Sequence, residues 1–339
     1  MNATVRPMQL PPLPAEPPPA LPGDAPWAHP RLAALAARAR AMAAVRAPVI
    51  AMVYPCDELA LEAAREMSRE GIAHPMLVGP RARIERAAAE AGIDIGAWPL
   101  EDVPDPPADS ARRACALARD GRVQALMKGS LHTDELMSQL VDRTHGLRGH
   151  RRISHLFLFD LPRYPQLLGV ADCVVNIAPN LKTKADILGN AVEALQKIGI
   201  ARPRVGIVAA VETVNPAIPA TVDAQALVER ARAGEWPGAI VDGPFGFDNA
   251  ISAAAAQTKH IESPVSGHAD LLIVPDLNAG NMLYKSFVYI GGGECAGIVL
   301  GTQVPVVLTS RADSLASRVA SVALAVLAGT PTPRSASSA

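Results

Sequence analysis

Residues 47–79 read APVIAMVYPCDELALEAAREMSREGIAHPMLVG, and their order decides the fold. Ala47–Tyr54 is a short apolar run closed by Pro55, the pattern of a buried strand. Asp57–Gly71 follows with Leu59, Ala63 and Met67 at helical spacing and a glycine stop. His74–Val78 is a second apolar run. A strand, a helix and a strand in this order form a parallel pair with a crossover, so the unit predicts a parallel sheet covered by helices on both faces.

The alternation continues outward. Arg31–Val45 reads as a helix before this unit, and Arg81–Gly92, Ser110–Asp120 and Leu131–Arg143 read as helices after it, with a strand at Val123–Met127. In the second half, strands are expected at Ile153–Phe159, Val174–Ile177, Arg204–Ala209, Ala239–Asp242, Leu271–Val274 and Val304–Leu308. Helices are expected at Lys184–Ile198, Ala224–Ala233, Asn278–Ile290 and Ser314–Leu327. Few strands alternate strictly, which marks them as buried on both faces. The 339 residues exceed one ordinary core and predict two domains, with a boundary in the basic stretch Arg143–Arg152. Residues 1–30 hold ten of the 31 prolines and read as a disordered, polyproline-like tail with no secretory pattern.

Composition removes several classes of function. Lys and Arg number 32 against 33 Asp and Glu, a net charge of −1, which argues against a protein built to grip nucleic acid. Four scattered cysteines, Cys56, Cys115, Cys173 and Cys295, form no CxxC pair, so neither a disulfide framework nor a cysteine zinc site is expected. No apolar run approaches the ~20 residues of a membrane span. The expected location is cytoplasmic.

Ligands of open parallel sheets bind beyond the carboxyl ends of strands, so the residues after each strand carry the candidate chemistry. Cys56 ends the first strand beside Asp57; a packing residue next to a helix N-cap is favoured over a reactive thiol there. Lys128-Gly129-Ser130 follows the strand Val123–Met127. The lysine charge and the backbone N–H groups of Gly129 and Ser130 form a candidate anion site, although the spacing is not that of a P-loop. Asp242–Ala250 and Pro275–Met282 mix Asp, Asn and Gly. Asn278, Gly280 and Asn281 are candidate ligand contacts, against a plain reading as turn and cap residues. Asp242, Asp248 and Asp276 form no dedicated metal motif. His132, His145, His150 and His155 match no ligand spacing, and the basic stretch around them reads as a solvated connector.

Thr309-Ser310-Arg311-Ala312-Asp313-Ser314 follows the last strand. Ser310 and Asp313 share a face if the first turn is helical, and Arg311 suits a phosphate or a developing oxyanion. The plainer reading is an N-cap at Ser310 with Asp313 at its third helical position, but the buried-strand context and the arginine place the functional reading above it.

Six blocks now add up: YPCDELALEAA (54–64), HPMLVGP (74–80), ALMKGSLHTDELM (125–137), VDGPFGFDNA (241–250), ADLLIVPDLNAGNMLYKSF (269–287) and ECAGIVLGTQVPVVLTSRADS (294–314). Together they resemble the phosphate acetyltransferase/phosphate butyryltransferase family, in that family's order and across residues 45–329. The match is closest to its butyryltransferase-like branch and to the phosphotransacylase half of bifunctional enoyl-CoA hydratase proteins. The resemblance implies a two-domain, three-layer αβα fold like that of isocitrate and isopropylmalate dehydrogenases, with the active site in the interdomain cleft. Domain I would comprise 31–150 plus 304–339, and domain II 151–303. It implies the reaction acyl-CoA + phosphate ⇌ acyl phosphate + CoA, without metal or cofactor, and a homodimer or larger homo-oligomer.

On that resemblance, Ser310, Arg311 and Asp313 are the catalytic candidates. Lys128, Gly129, Ser130, Asn278, Gly280 and Asn281 are the candidates for phosphate and coenzyme A. The sequence departs from the acetyltransferase branch twice. Ser317 stands at the position of that branch's base aspartate, leaving Asp313, one turn nearer, as the substitute. Met137 lies where that branch has an arginine, with Arg143 or Arg148 as possible replacements for the charge. Two rival functions remain on the sequence alone: a metal- and NAD-dependent oxidative decarboxylase of the same fold, and a non-catalytic CoA-binding homologue.

Overall fold

The computed structural model describes residues 29–308 and 313–329. The first elements are α1 (Pro30–Ala43), β1 (Val49–Val53), α2 (Glu58–Arg69), β2 (His74–Gly79), α3 (Arg81–Ala91) and β3 (Leu100–Asp102). Next come α4 (Pro107–Arg119), β4 (Ala125–Lys128), α5 (Thr133–Leu140), β5 (Ser154–Asp160), β6 (Leu168–Ala171) and α6 (Leu181–Lys197). Then follow β7 (Arg204–Val208), α7 (Pro219–Arg232), β8 (Ile240–Phe245), α8 (Phe247–Ile251), α9 (Ala253–Thr258) and β9 (Leu271–Ile273). The chain continues through α10 (Leu277–Tyr289), β10 (Glu294–Leu300), β11 (Val306–Val307) and α11 (Leu315–Ala328). Among the described residues five helices start where a side-chain oxygen meets a free N–H: Asp57 accepts from Ala60, Asn180 from Thr183, Ser252 from Ala255, Asp276 from Ala279 and Ser314 from Ser317.

Among the described residues one sheet runs in the order β3-β2-β1-β4-β11-β10-β5-β6-β9-β7-β8. It is mixed, which corrects the parallel expectation. The outer pairs are parallel, but β11–β10, β10–β5 and β5–β6 are antiparallel. Three successive reversals leave β6, β9, β7 and β8 running opposite to β1, β4 and β11. The carboxyl ends of the two parallel groups therefore lie at opposite edges of the sheet. The last strand and helix return to the first half of the chain: β11 pairs with β4, and α11 packs on α1, α2 and β10.

The predicted strand Val174–Ile177 does not form. Asp172 Oδ1 accepts the N–H groups of Val174 and Val175 at 2.8 and 2.9 Å, which folds this segment into a turn. The strand lies just upstream, at Leu168–Ala171. Glu294–Leu300, β3 and the short helices α8 and α9 are elements the periodicity does not reveal.

The two faces of the sheet differ. On one, a single apolar cluster joins Ile50, Met127, Leu156, Ile298 and Ile207 to α1, α2, α3, α6, α7 and α11. On the other the core is split. Val53, Val78, Leu126 and Val299 pack under α4 and α5, whereas Phe159, Val170, Leu272 and Cys295 pack under α8 and α10. The division falls on β10, where Val299 belongs to one cluster and Cys295 to the other. Gly297 lies between them, where a Cβ would meet the Phe157 ring at 2.6 Å. The apolar layer under the helices is thus continuous on one face and divided above the middle strands on the other.

Candidate active site

The register places Lys128 at the carboxyl end of a central strand. β4 ends at Lys128, beside Val53 of β1, and Val307 of β11 pairs with Met127. Strand side chains alternate, so Lys128 shares the face of Leu126, the divided one. Its Nζ donates to the Gly129 carbonyl at 3.2 Å. The expected role of the neighbouring backbone is not met. The N–H of Gly129 donates to Val53 O at 2.9 Å and that of Ser130 to Tyr54 O at 3.0 Å, so both are already used in holding the tip of β4 to β1. Position 129 must be glycine because a Cβ there would lie 2.5 Å from the Tyr54 carbonyl oxygen. The Ser130 hydroxyl donates to the same oxygen at 2.9 Å and accepts the N–H of Cys56 at 3.2 Å. Burial pushes the Cys56 thiol up to about 11, the opposite of an activated nucleophile.

Ser310 and Arg311 lie outside the described residues. Asp313, the next candidate, does not begin a helix. The N-cap of α11 is Ser314, so the expected cap at Ser310 with Asp313 in the first turn is replaced by a cap four residues later. Ser314 Oγ accepts the Ser317 N–H at 2.9 Å and donates to Glu294 Oε2 at 2.6 Å. Ser317, at the position of the acetyltransferase-branch aspartate, is buried, and its hydroxyl donates to Cys295 O at 2.6 Å. Asp313 is held from two sides. The Tyr284 hydroxyl donates to its Oδ1 at 3.3 Å, and Nε of the buried Arg318 donates to its carbonyl at 3.3 Å. Burial lowers the Arg318 pKa from its ordinary value, while the carboxylates of Asp313, Asp57 and Glu62 pull the other way. A cavity of about 100 Å³ opens here, lined by Tyr284, Val288, Glu294, Asp313, Ser314 and Ser317, among others.

Asn278, Gly280 and Asn281 are placed differently. They open α10, at the carboxyl end of β9 and so at the sheet edge opposite to Lys128. Asn281 Nδ2 donates to Cys173 O at 3.4 Å, and a Cβ on Gly280 would lie 2.7 Å from Asp172 O. The close approach of α10 to the Asp172–Cys173 turn accounts for the glycine. The helix then runs back across the sheet and delivers Tyr284 to Asp313. Met137 and the candidate replacements for its charge, Arg143 and Arg148, are on or after α5, and Arg148 joins a bridge to Thr302.

Tyr284, Glu294 and Arg318 escape sequence reasoning because they matter through contacts between distant segments. The one available signal for Tyr284 is its place on the stripe Gly280, Tyr284, Phe287, the spacing of a helix face turned to the sheet.

The chain matches the family described as Phosphate acetyl/butaryl transferase over residues 97–326. It is 48% identical to the phosphate acetyltransferase of Rhizobium meliloti over 85% of this chain and 91% of that protein. It is 36% identical to the phosphate butyryltransferase of Clostridium acetobutylicum over 82% of this chain and 92% of that protein. The crystal structure of a branched-chain phosphotransacylase from Enterococcus faecalis superimposes with a TM-score of 0.73 at 29% identity, covering 83% of this chain and 99% of that one. Family match, sequence relatives and shared architecture agree: the chain is an acyltransferase that belongs to the phosphate acetyl/butyryl transferase family.

Proposed function

We propose that this acyltransferase moves a short acyl group, acetyl or butyryl, reversibly between coenzyme A and inorganic phosphate, by direct attack within a ternary complex. In the direction of thioester synthesis, Asp313 takes the proton of the CoA thiol. The thiolate attacks the carbonyl of the acyl phosphate, a C–S bond forms, and phosphate departs with the electrons of the C–O bond. A base is needed because a free thiol is mostly protonated at neutral pH. Charge gathers on the carbonyl oxygen, where Ser310 and Arg311 are the assigned donors, and Lys128 holds the phosphate. Coenzyme A is a substrate in this reading, and neither a metal nor an organic cofactor takes part.

The observation that carries the reading is the meeting of two family blocks at one sheet edge. Lys128 ends β4 next to the strand from which the SRADS block departs, and Asp313 of that block is gripped by Tyr284. The oxidative-decarboxylase and non-catalytic alternatives are not favoured, since the relatives are named as phosphate acetyl- and butyryltransferases. We read the chain as 31–150 plus 304–339 and 151–303; the apolar core is split on one face of the sheet and continuous on the other. We read the enzyme as a cytoplasmic homodimer or larger homo-oligomer, and among the described residues no helix is long and apolar enough to cross a membrane. The direct experiment supplies acetyl-CoA or butyryl-CoA and follows CoA thiol release as phosphate or arsenate is added. Anion-dependent release from at least one thioester is expected. Release from neither would remove the proposal, and the ratio of the two rates reports the preferred acyl length.

A further inference from the structure

We infer that Tyr284 is a positioning residue for the acyl transfer, its hydroxyl holding the Asp313 carboxylate in the orientation and ionisation state that a base requires. The inference rests on the reading above, with Asp313 as the base. Its footing is geometric. The Tyr284 ring stacks on Phe157 of β5 at a centroid distance of 4.4 Å and an interplanar angle of 14°, and lies 6.2 Å from the Phe159 ring. A ring clamped on a central strand gives its hydroxyl little freedom, and that hydroxyl ends 3.3 Å from Asp313 Oδ1 on the wall of the cavity. The main chain of Asp313 is fixed independently, by Arg318 at its carbonyl and by the Ser314–Glu294 bond one residue on. With the backbone anchored, the Tyr284 hydrogen bond acts on the orientation of the Asp313 carboxylate.

The chemistry follows from the donor. A hydrogen bond given to a carboxylate favours its charged form. Burial and the nearby Asp313 charge raise the Tyr284 pKa, so the phenol stays a neutral donor across any practical assay range. Among the described residues, the other groups facing the pair are Glu294 and Cys295 from β10, Tyr289 from α10 itself and Arg318 from α11, with Asp57 and Glu62 of α2 behind the arginine. Glu294 is tied to Ser314, and burial holds Cys295 as a thiol, its pKa well above the usual range. Tyr284 thus reaches the Asp313 carboxylate from α10, and both side chains line the cavity.

The test is Tyr284→Phe, which keeps the ring and its stack on Phe157. It is compared with wild type, Asp313→Asn and the double variant in the CoA-release assay across pH. We expect kcat to fall roughly ten-fold with phosphate and CoA KM values little changed, and the acidic limb of the kcat profile to move to higher pH by about 0.5 to 1 unit. The double variant should lose no more than Asp313→Asn alone, because Tyr284 acts through that carboxylate. A Tyr284→Phe enzyme with an unmoved acidic limb, or a double variant whose losses multiply, overturns the inference. An inactive wild-type enzyme would instead count against the acyltransferase reading itself.

Discussion

Within its tripeptide Lys128 is the candidate anion contact, because the N–H groups of Gly129 and Ser130 already donate to the Val53 and Tyr54 carbonyls. Lys128→Met should therefore raise the phosphate KM about ten-fold while moving the CoA KM much less. Initial rates with each substrate varied in turn decide this, and an unchanged phosphate dependence would remove Lys128 from the anion site. Asp313 makes a separate demand. Asp313→Asn keeps the size of the side chain and an acceptor for Tyr284 but cannot take a proton, so kcat should fall about 100-fold with the thermal midpoint unaltered. Near-normal turnover would exclude Asp313 as the base. The lysine is legible in sequence, since a cation after an apolar run followed by glycine and serine stands out. The occupation of its neighbours' N–H groups is not, because it depends on how closely β4 approaches the turn after β1.

At the scale of elements, helices with an apolar stripe and a capping residue are readable: α2, α6, α10 and α11 lie within a few residues of where spacing and caps put them. Strands buried on both faces are harder, because a short apolar run carries no period. Val174–Ile177 illustrates the cost. It has the composition of a strand, but Asp172 captures its first two N–H groups, and the ladder goes to Leu168–Ala171 instead. The same carboxylate accepts the His155 N–H at 3.2 Å and the Asn176 amide at 2.6 Å. Asp172 is 2% exposed, and its removal takes away the acceptor of the Val174, Val175 and His155 N–H groups and one of the two acceptors of the Asn176 amide. Asp172→Ala should destabilise the fold by about 3 kcal/mol, measured as a lower denaturant midpoint at an unchanged slope. A midpoint within about 0.5 kcal/mol of wild type would show that the turn holds without it.

Across the whole molecule, the alternation of strands and helices made the α/β class legible, but the direction of the strands was not. His155–Phe159 reads like any buried parallel strand, yet three antiparallel pairings around β5 and β10 reverse the second half of the sheet. Direction is set by which edge each crossover returns to, and no local pattern records that. It is why the Asn278–Asn281 turn lies at the far edge while the distal part of α10 reaches Asp313. The reversal also buries His155 on the middle strand with its ring 4.3 Å from that of Phe157, and neither ring nitrogen has a hydrogen-bond partner. Burial lowers its pKa to about 4 from 6.5, opposed by the charge of Asp172. The unfolded chain then binds the extra proton between those two values. This contribution to stability is complete above about pH 6.5 and is lost as pH falls toward 4, amounting to about 2 kcal/mol by pH 5. Among the described residues, the carboxyls of Glu66, Glu101, Asp105, Asp142, Glu193 and Glu212 are held below their ordinary values, mostly by arginine, lysine or hydrogen-bond donors and in Glu193 against its burial, so their losses come at lower pH. Denaturant unfolding at pH 7 and pH 5 should show this loss in wild type and a much flatter response in His155→Leu, whose side chain cannot take up a proton. Equal losses in the two proteins would mean that some other group, not the unbonded imidazole of the middle strand, sets the acid sensitivity of the fold.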